Sequence, residues 1–174
     1  MKIRGFEFVK DEFKKNKKDV PTVEYDKKVV LPDGKFFYTC DELKIPERST
    51  AGSAGYDFYL PIDLTLVPGA KTIIYSDVKA YMLEDEYLVL HLRSSVGIKH
   101  GLLLSNITGI IDASYYGNPD NDGNIGIALF NPTGRTVTMR KGERVAQGIF
   151  MKYLTADGET TTKIRAGGMG STGK

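Results

Sequence analysis

Apolar side chains recur at every second position along most of this chain, a period that suits a strand with one buried face and does not suit a helix. In LPIDLTL, Leu60, Ile62, Leu64 and Leu66 share a face; in YLVLHLR, Leu88, Leu90 and Leu92 take one face and Tyr87, Val89, His91 and Arg93 the other. KTIIYSD, GLLLSN, NIGIALFN, TVTMR and RVAQGIFM are further strand candidates, each bounded by Gly, Pro, Asn or Asp. Glycine accounts for 19 of 174 residues, above the roughly 7% usual in soluble chains, which points to many turns. Only VKDEFKKNKKD and SSVGIKH have room for helices, and both are short. The expected fold is all-β, a jelly roll or barrel-like sandwich.

A chain of 174 residues with 41% apolar content can bury one real core. Its 24 basic and 22 acidic residues leave a formal charge of +2, too little for a global field that would hold nucleic acid. The basic run from Lys14 to Asp19 has no interleaved aromatic and reads as a solvated loop or short helix face. Cys40 is the only cysteine, and His91 and His100 are the only histidines, so an internal disulfide is excluded and a structural zinc site lacks ligands. A reducing cytoplasm fits. The N-terminal stretch MKIRGFEFVKDEFKK has no apolar block of signal-peptide length, and no run approaches a membrane span. A soluble, cytoplasmic protein without a membrane partner is expected.

Residues 1–45 differ from the rest of the chain: a strand-like IRGFEFV, the charged run, then a hairpin candidate around Pro32, Asp33 and Gly34. They are expected to be an N-terminal elaboration ahead of a β domain over 46–158 and a Gly-rich tail over 159–174. The tail ends in RAGGMGSTGK, which fits part of G-x-x-x-x-G-K-[ST] and all of G-x-G-x-x-G on paper. Both motifs aim the amides of a following helix at an anion, and no helix follows here. Two readings stay open: a disordered terminus, or a mobile tail whose amides, hydroxyls and Arg165 close over a phosphate bound elsewhere.

Four stretches of the body place polar residues at strand ends beside glycine. In SAGYDFY, Asp57 stands between aromatics at a strand entrance, either as a turn aspartate or as a site residue. In RSSVGIKHG, Ser94 and Ser95 follow a strand and open a small helical turn, where they could cap it or meet an anion. In SNITGIIDASYYGNPDNDG, Asn106, Asp112 and Tyr115 fall within ten residues, and Asp112 directly follows an apolar GII. A charged carboxylate in such surroundings costs free energy unless it is hydrogen-bonded or used, as a general base would be. KGERVAQGIF, which carries Gln147, reads by itself as an ordinary hairpin.

The order and spacing of these pieces are more specific than any one of them. AGYD, RSS-V-G-x-K-H-G, N-x-x-G-x-I-D-x-x-Y, G-E-R-x-A-Q and R-x-G-G-x-G-S-T-G, running from Ala54 to Gly173, resemble the five motifs of the trimeric dUTPases. That resemblance implies a jelly roll of the β-clip type, a homotrimer with exchange of C-terminal tails, and Mg2+-dependent hydrolysis of dUTP to dUMP and pyrophosphate. Such a reaction keeps uracil out of DNA and supplies dUMP for thymidylate synthesis.

The resemblance also implies roles. Asp112 would orient the water that attacks the α-phosphorus and take its proton. Tyr115 would pack under the deoxyribose and leave no room for a 2′-hydroxyl. The segment from Asn106 to Tyr115, with Gly109 and Ile111, would receive uracil through backbone groups beside the Asn106 side chain. Cytosine presents a different donor and acceptor order and would leave buried groups unpaired, at about 1 to 3 kcal/mol each. Ser94, with Ser95 beside it, would hydrogen-bond the triphosphate near the α,β bridge. Gln147 would contact the α-phosphate, and Arg93 would lie near the phosphates or a subunit junction. Asp57 would hold a water of the Mg2+ shell, the metal being carried by substrate phosphates with no direct protein ligand. In the tail, Arg165, Ser171 and Thr172 would meet the γ-phosphate, while Met169 and Gly170 would cover the base.

Three departures from the family pattern stand out. Met169 occupies the place of the usual uracil-stacking phenylalanine, Ser95 that of a glycine, and only Ala166 separates Arg165 from the paired glycines. A serine pair also occurs in the related dCTP deaminases, so a deaminase, or a bifunctional deaminase and dUTPase, is one alternative. Their strand glutamate is missing, however: Ala128 occupies its place and no acid lies between Gly123 and Asn131. A non-catalytic regulatory module with the same fold is the other alternative, although the full set Asp57, Ser94, Asn106, Asp112, Tyr115 and Gln147 is present. Asp120 and Asp122 read as turn formers, not metal ligands.

Overall fold

The alternating pattern becomes eleven strands among the residues that the computed structural model describes, 2–15 and 43–168. They are β1 (Gly5–Phe8), β2 (Tyr56–Tyr59), β3 (Leu64–Leu66), β4 (Lys71–Tyr75), β5 (Val78–Tyr81), β6 (Glu86–Leu92), β7 (Leu103–Leu104), β8 (Gly109–Asp112), β9 (Gly126–Phe130), β10 (Val137–Met139) and β11 (Arg144–Lys152). All pairings are antiparallel: a four-stranded sheet β2-β11-β6-β8, a three-stranded sheet β4-β9-β7, and the ribbons β3-β10 and β1-β5. The all-β expectation holds. The hairpin candidate at Pro32 to Gly34, Cys40, and the tail residues Met169, Gly170, Ser171 and Thr172 lie outside the described residues.

One apolar core lies between the sheets. Leu88 and Leu90 of β6, Phe58 of β2, Ile127 and Leu129 of β9, and Leu64 and Leu66 of β3 are all buried there. The expected shared face of Leu60, Ile62, Leu64 and Leu66 is buried throughout, although only the last three residues of LPIDLTL pair as a strand. In β11 two consecutive residues, Val145 and Ala146, are buried, against strict alternation. The register explains this: Arg144 opposes Tyr59 and Ala146 opposes Phe58, so Val145 is the extra residue of a bulge. The bulge also turns Arg144 toward β2, where it meets Asp57.

Both stretches with room for helices form short helical turns, and one local expectation changes. The charged N-terminal stretch holds, among its described residues, only a single 3-10 turn, Asp11–Phe13. SSVGIKH forms the π-helical turn Val96–His100, closed by Gly101 at φ +73°, where glycine avoids the strain a side chain would suffer. KGERVAQGIF is not a hairpin. β10 pairs with β3, whereas β11 pairs with β2 and β6, so the turn at Gly142 is a corner at which the chain changes sheets.

Residues 2–15 lie against the body rather than apart from it. β1 pairs residue for residue with β5, and Phe6 meets Tyr56, Phe58 and Phe150 with ring centroids 5.3 to 5.6 Å apart. Arg4 forms a forked pair with the buried Glu86 at the start of β6.

Candidate active site

Asp57 sits inside the four-stranded sheet, 4% exposed, with Arg93 Nε 3.0 Å from Oδ1 and Arg144 Nη1 3.1 Å from Oδ2. Two guanidinium groups thus share one buried carboxylate, which holds both heads in place while leaving each with donors to spare. Gln147 lies opposite Asp57 across the β2-β11 pair. A Cβ on Gly55 would stand 2.5 Å from Gln147 Oε1, so the missing side chain is what gives the glutamine its place. Beyond β6, the amides of Val96 and Gly97 are taken by the Arg93 carbonyl, Ser95 supplies no side-chain cap, and Ser94 is exposed. The structure therefore gathers Asp57, Arg93, Ser94, Ser95 and Gln147 at one end of the sheet. Arg144, which the sequence reading did not single out although it stands in G-E-R, belongs with them.

The second group is on and beyond β8. Gly109 is buried and pairs with Leu90, whose Cβ would be 2.9 Å from any Cβ placed on it; Ile111 pairs with Leu88 and Asp112 with Tyr87. The loop before β8 carries an exposed Asn106 and Ile107 at φ +64°. It does not close a two-stranded hairpin, because β7 pairs with β9 and β8 with β6. Tyr115 is 5% exposed; its hydroxyl donates to the Asn124 carbonyl at 3.0 Å and accepts from Asn121 Nδ2 at 2.7 Å. Burial is the main cause that pushes its phenol pKa upward. Arg165 completes the group: Nη2 donates to Asp112 Oδ2 at 2.7 Å, Nε donates to Ser114 Oγ, and the guanidinium lies 5.4 Å from the Tyr115 ring centroid. Further along the tail, the Gly168 amide donates to Asp120 Oδ2.

Within one chain the two groups stay apart. Gln147 opposes His91 on β6, whereas Asp112 opposes Tyr87. Four residues along the strand and two strand spacings across place them roughly 16 Å apart. Neither group contains a metal cage; among the described residues no three of His, Cys, Asp and Glu come together. No helix among the described residues is long and apolar enough to cross a membrane.

This geometry can be set beside known proteins. A family model described as dUTPase matches residues 41–173. The deoxyuridine 5'-triphosphate nucleotidohydrolase of Lactococcus lactis subsp. lactis (strain IL1403) is 45% identical over 133 residues, covering 75% of this chain and 89% of that protein. The dUTPase from Streptococcus mutans superposes with a TM-score of 0.63 at 43% identity, covering 74% of this chain and 97% of its own. Staphylococcus bacteriophage 80alpha dUTPase with dUPNHPP superposes with a TM-score of 0.58 at 26% identity, covering 69% and 82%. With a family model spanning most of its length and a relative at this level of identity, the chain belongs to the dUTPase family.

Proposed function

We propose that the protein hydrolyses dUTP to dUMP and pyrophosphate at sites built between copies of itself. The observation that carries the composite site is the roughly 16 Å between Gln147 and Asp112 in one chain. Both are assigned to the α-phosphate, one holding its oxygen and the other the attacking water, so both must lie within a few ångström of one phosphorus. A site drawing Asp57, Arg93, Ser94 and Gln147 from one copy and Asp112 and Tyr115 from another removes the conflict. The exposed apolar side chains Ile98, Leu103, Ile107 and Ile110 supply surface for such contacts. The assembly is the family's homotrimer, with each tail crossing to a neighbour's site.

In this reading Asp112 accepts the proton of a water in line with the α-phosphorus. The new P–O bond forms as the bond to the bridging oxygen breaks, and pyrophosphate leaves with the electron pair. Arg93, Arg144, Ser94 and Gln147 face the phosphate oxygens, and Asp57 keeps the two arginines aimed. Ser95 lies alongside Ser94. Asn106, Gly109 and Ile111 frame the uracil, and Tyr115 forms the floor beneath the deoxyribose. Mg2+, the family's metal, fits this donor set as an ion carried by the phosphates: Asp57 has given one lone pair of each oxygen to arginine and retains others for a metal-bound water. Its chemistry is neutralisation of phosphate charge. Arg165 leaves the Asp112 of its own chain when the tail crosses to the γ-phosphate in a neighbour's site, with Met169, Gly170, Ser171 and Thr172 completing the cover there, and the vacated Asp112 is then free to act in its own site.

The test is pyrophosphate release from dUTP, dCTP, dTTP and UTP, each with and without Mg2+, on material whose mass is measured by light scattering. A trimer active on dUTP with Mg2+ and weak on the other three is expected. A trimer inert toward dUTP, or a monomer that cleaves it at full rate, would overturn the reading.

A further inference from the structure

The turn Asn118–Asn124 and the N-terminal segment 2–15 form one continuous polar network, and it ends on the hydroxyl of Tyr115. Asn118 Nδ2 donates to the Tyr115 carbonyl and to Asn121 Oδ1, both at 2.8 Å, and Gly123 N–H donates to the same Asn121 oxygen. With Oδ1 held twice, the Asn121 amide is oriented, and its Nδ2 is left to donate to Tyr115 Oη at 2.7 Å. The tyrosine donates onward to the Asn124 carbonyl.

The outer layer of the network is the N-terminal segment. Asp122, 2% exposed and at φ +56°, accepts from Lys79 Nζ and from the Lys10 amide at 2.8 Å each. Asn124, fully buried, exchanges hydrogen bonds with Asp77 and donates to the Phe13 carbonyl. The Lys15 amide donates to Asp77 Oδ1, and Tyr116 donates to Glu7 Oε2 at 2.7 Å. Residues 2–15 precede the stretch 41–173 that the family model matches, so this layer is added to the family's domain.

We propose that residues 2–15 and the turn Asn118–Asn124 are a brace that sets the height of Tyr115, with Asn121 as its positioning residue, and thereby sets discrimination against a ribose 2′-hydroxyl. The proposal rests on the reading of Tyr115 as the floor under deoxyribose. A ring pinned at its hydroxyl cannot slide away to admit an extra oxygen; a ring released there can. The β-sheet alone does not supply this restraint, because Tyr115 follows β8 and, among the described residues, its hydroxyl bonds only to residues of the turn.

The experiment measures kcat and KM for dUTP and UTP, with thermal unfolding, for the full chain and five variants: Asn121→Ala, Tyr115→Phe, the two combined, Asp122→Asn and Tyr115→Leu. Asn121→Ala removes one of the two hydrogen bonds on the ring's hydroxyl and Tyr115→Phe removes both, and loss of one hydrogen bond corresponds to a fall of about two- to tenfold in the dUTP-to-UTP ratio of kcat/KM. The double variant is expected to fall no further than Tyr115→Phe alone, because Asn121 acts on the ring only through that hydroxyl. The loss should lie in a raised KM for dUTP with kcat nearly kept. Asp122→Asn, which weakens the outer layer while leaving the turn's own bonds, should lower the ratio in the same direction. If Asn121→Ala and Tyr115→Phe both keep the parent ratio while Tyr115→Leu collapses it, the brace is refuted and the floor reading stands. If Tyr115→Leu also keeps the ratio, the floor reading itself fails. Additive losses in the double variant, or lost kcat at unchanged ratio, would likewise refute the brace.

Discussion

Asp112 and Arg165, fifty-three positions apart, form an ion pair of 2.7 Å in which the carboxylate stays half-exposed and the guanidinium is largely buried. The pair occupies an oxygen of the carboxylate that the proposed attacking water would need. A triphosphate offers the same guanidinium more charge and more oxygens. In the proposed reading, the pair opens as the tail moves to a bound triphosphate, and Asp112 is released to act as base.

Asp112→Asn is expected to lower kcat by about 10²- to 10⁴-fold, the usual range for a general base. Binding of a non-hydrolysable dUTP analogue, followed by calorimetry, should be kept or tightened, because the neutral amide no longer competes with the phosphate for Arg165. Near-normal turnover would assign the base elsewhere.

Removing residues 165–174 takes away the guanidinium and the tail beyond it. KM for dUTP should rise by about tenfold or more, on the scale of a charge-assisted hydrogen bond of ~1.5 to 3 kcal/mol. The mass by light scattering should be unchanged, since no core residue is lost. A truncated enzyme with parental constants would return the tail to a bystander.

The Gly55 position separates catalysis from folding. Its φ is not in the left-handed region, so alanine there strains no backbone; the added Cβ meets Gln147, at 2.5 Å from Oε1 and 3.1 Å from Cβ. Overpacking of this kind costs about 1 to 3 kcal/mol. If displacement of the glutamine absorbs it, Gly55→Ala should lose about 10- to 100-fold in kcat/KM with only a small change in Tm. The double variant with Gln147→Ala should then be no slower than Gln147→Ala alone. A large Tm drop with full specific activity would show that the glutamine does not matter to turnover.

Alternation was enough to reveal the strands because one face of each meets a single core, as Leu88 and Leu90 do. It could not reveal partners. The loop from Ser105 to Thr108 joins β7 and β8, neighbours along the chain that belong to different sheets, a matter of long-range pairing. The candidate residues were legible from motif order, whereas their division into two distant groups depends on register along β6. Arg144 was hidden because its direction depends on the bulge at Val145. Asp122 was read as a turn former, and its positive φ agrees with that. What the reading missed is its pairing with Lys79, since nothing local in DVKAY says that a lysine is buried there.

The fork between Arg4 and Glu86 makes stability depend on acid. The hydrogen bond from Arg4 is the largest cause holding the Glu86 carboxyl below its ordinary 4.5; burial opposes it and the Leu83 amide assists. A folded-state value below the unfolded one means that the folded chain binds fewer protons in the window between them, so stability rises with pH there. The contribution is complete above about 4.5 and is lost as pH falls through the depressed value. Glu86→Gln cannot carry the charge at any pH but keeps the size and one acceptor for Leu83. At pH 7 the variant should therefore melt below the parent. The gap in Tm should begin to narrow as the pH falls below about 4.5 and go on narrowing as it approaches the depressed value of the parent's carboxyl. Thermal unfolding of both proteins across that range is the measurement. A gap that shows no narrowing once the pH falls below about 4.5 would place the variant's defect in packing, and the charge on Glu86 would then have no part in anchoring the N-terminal segment.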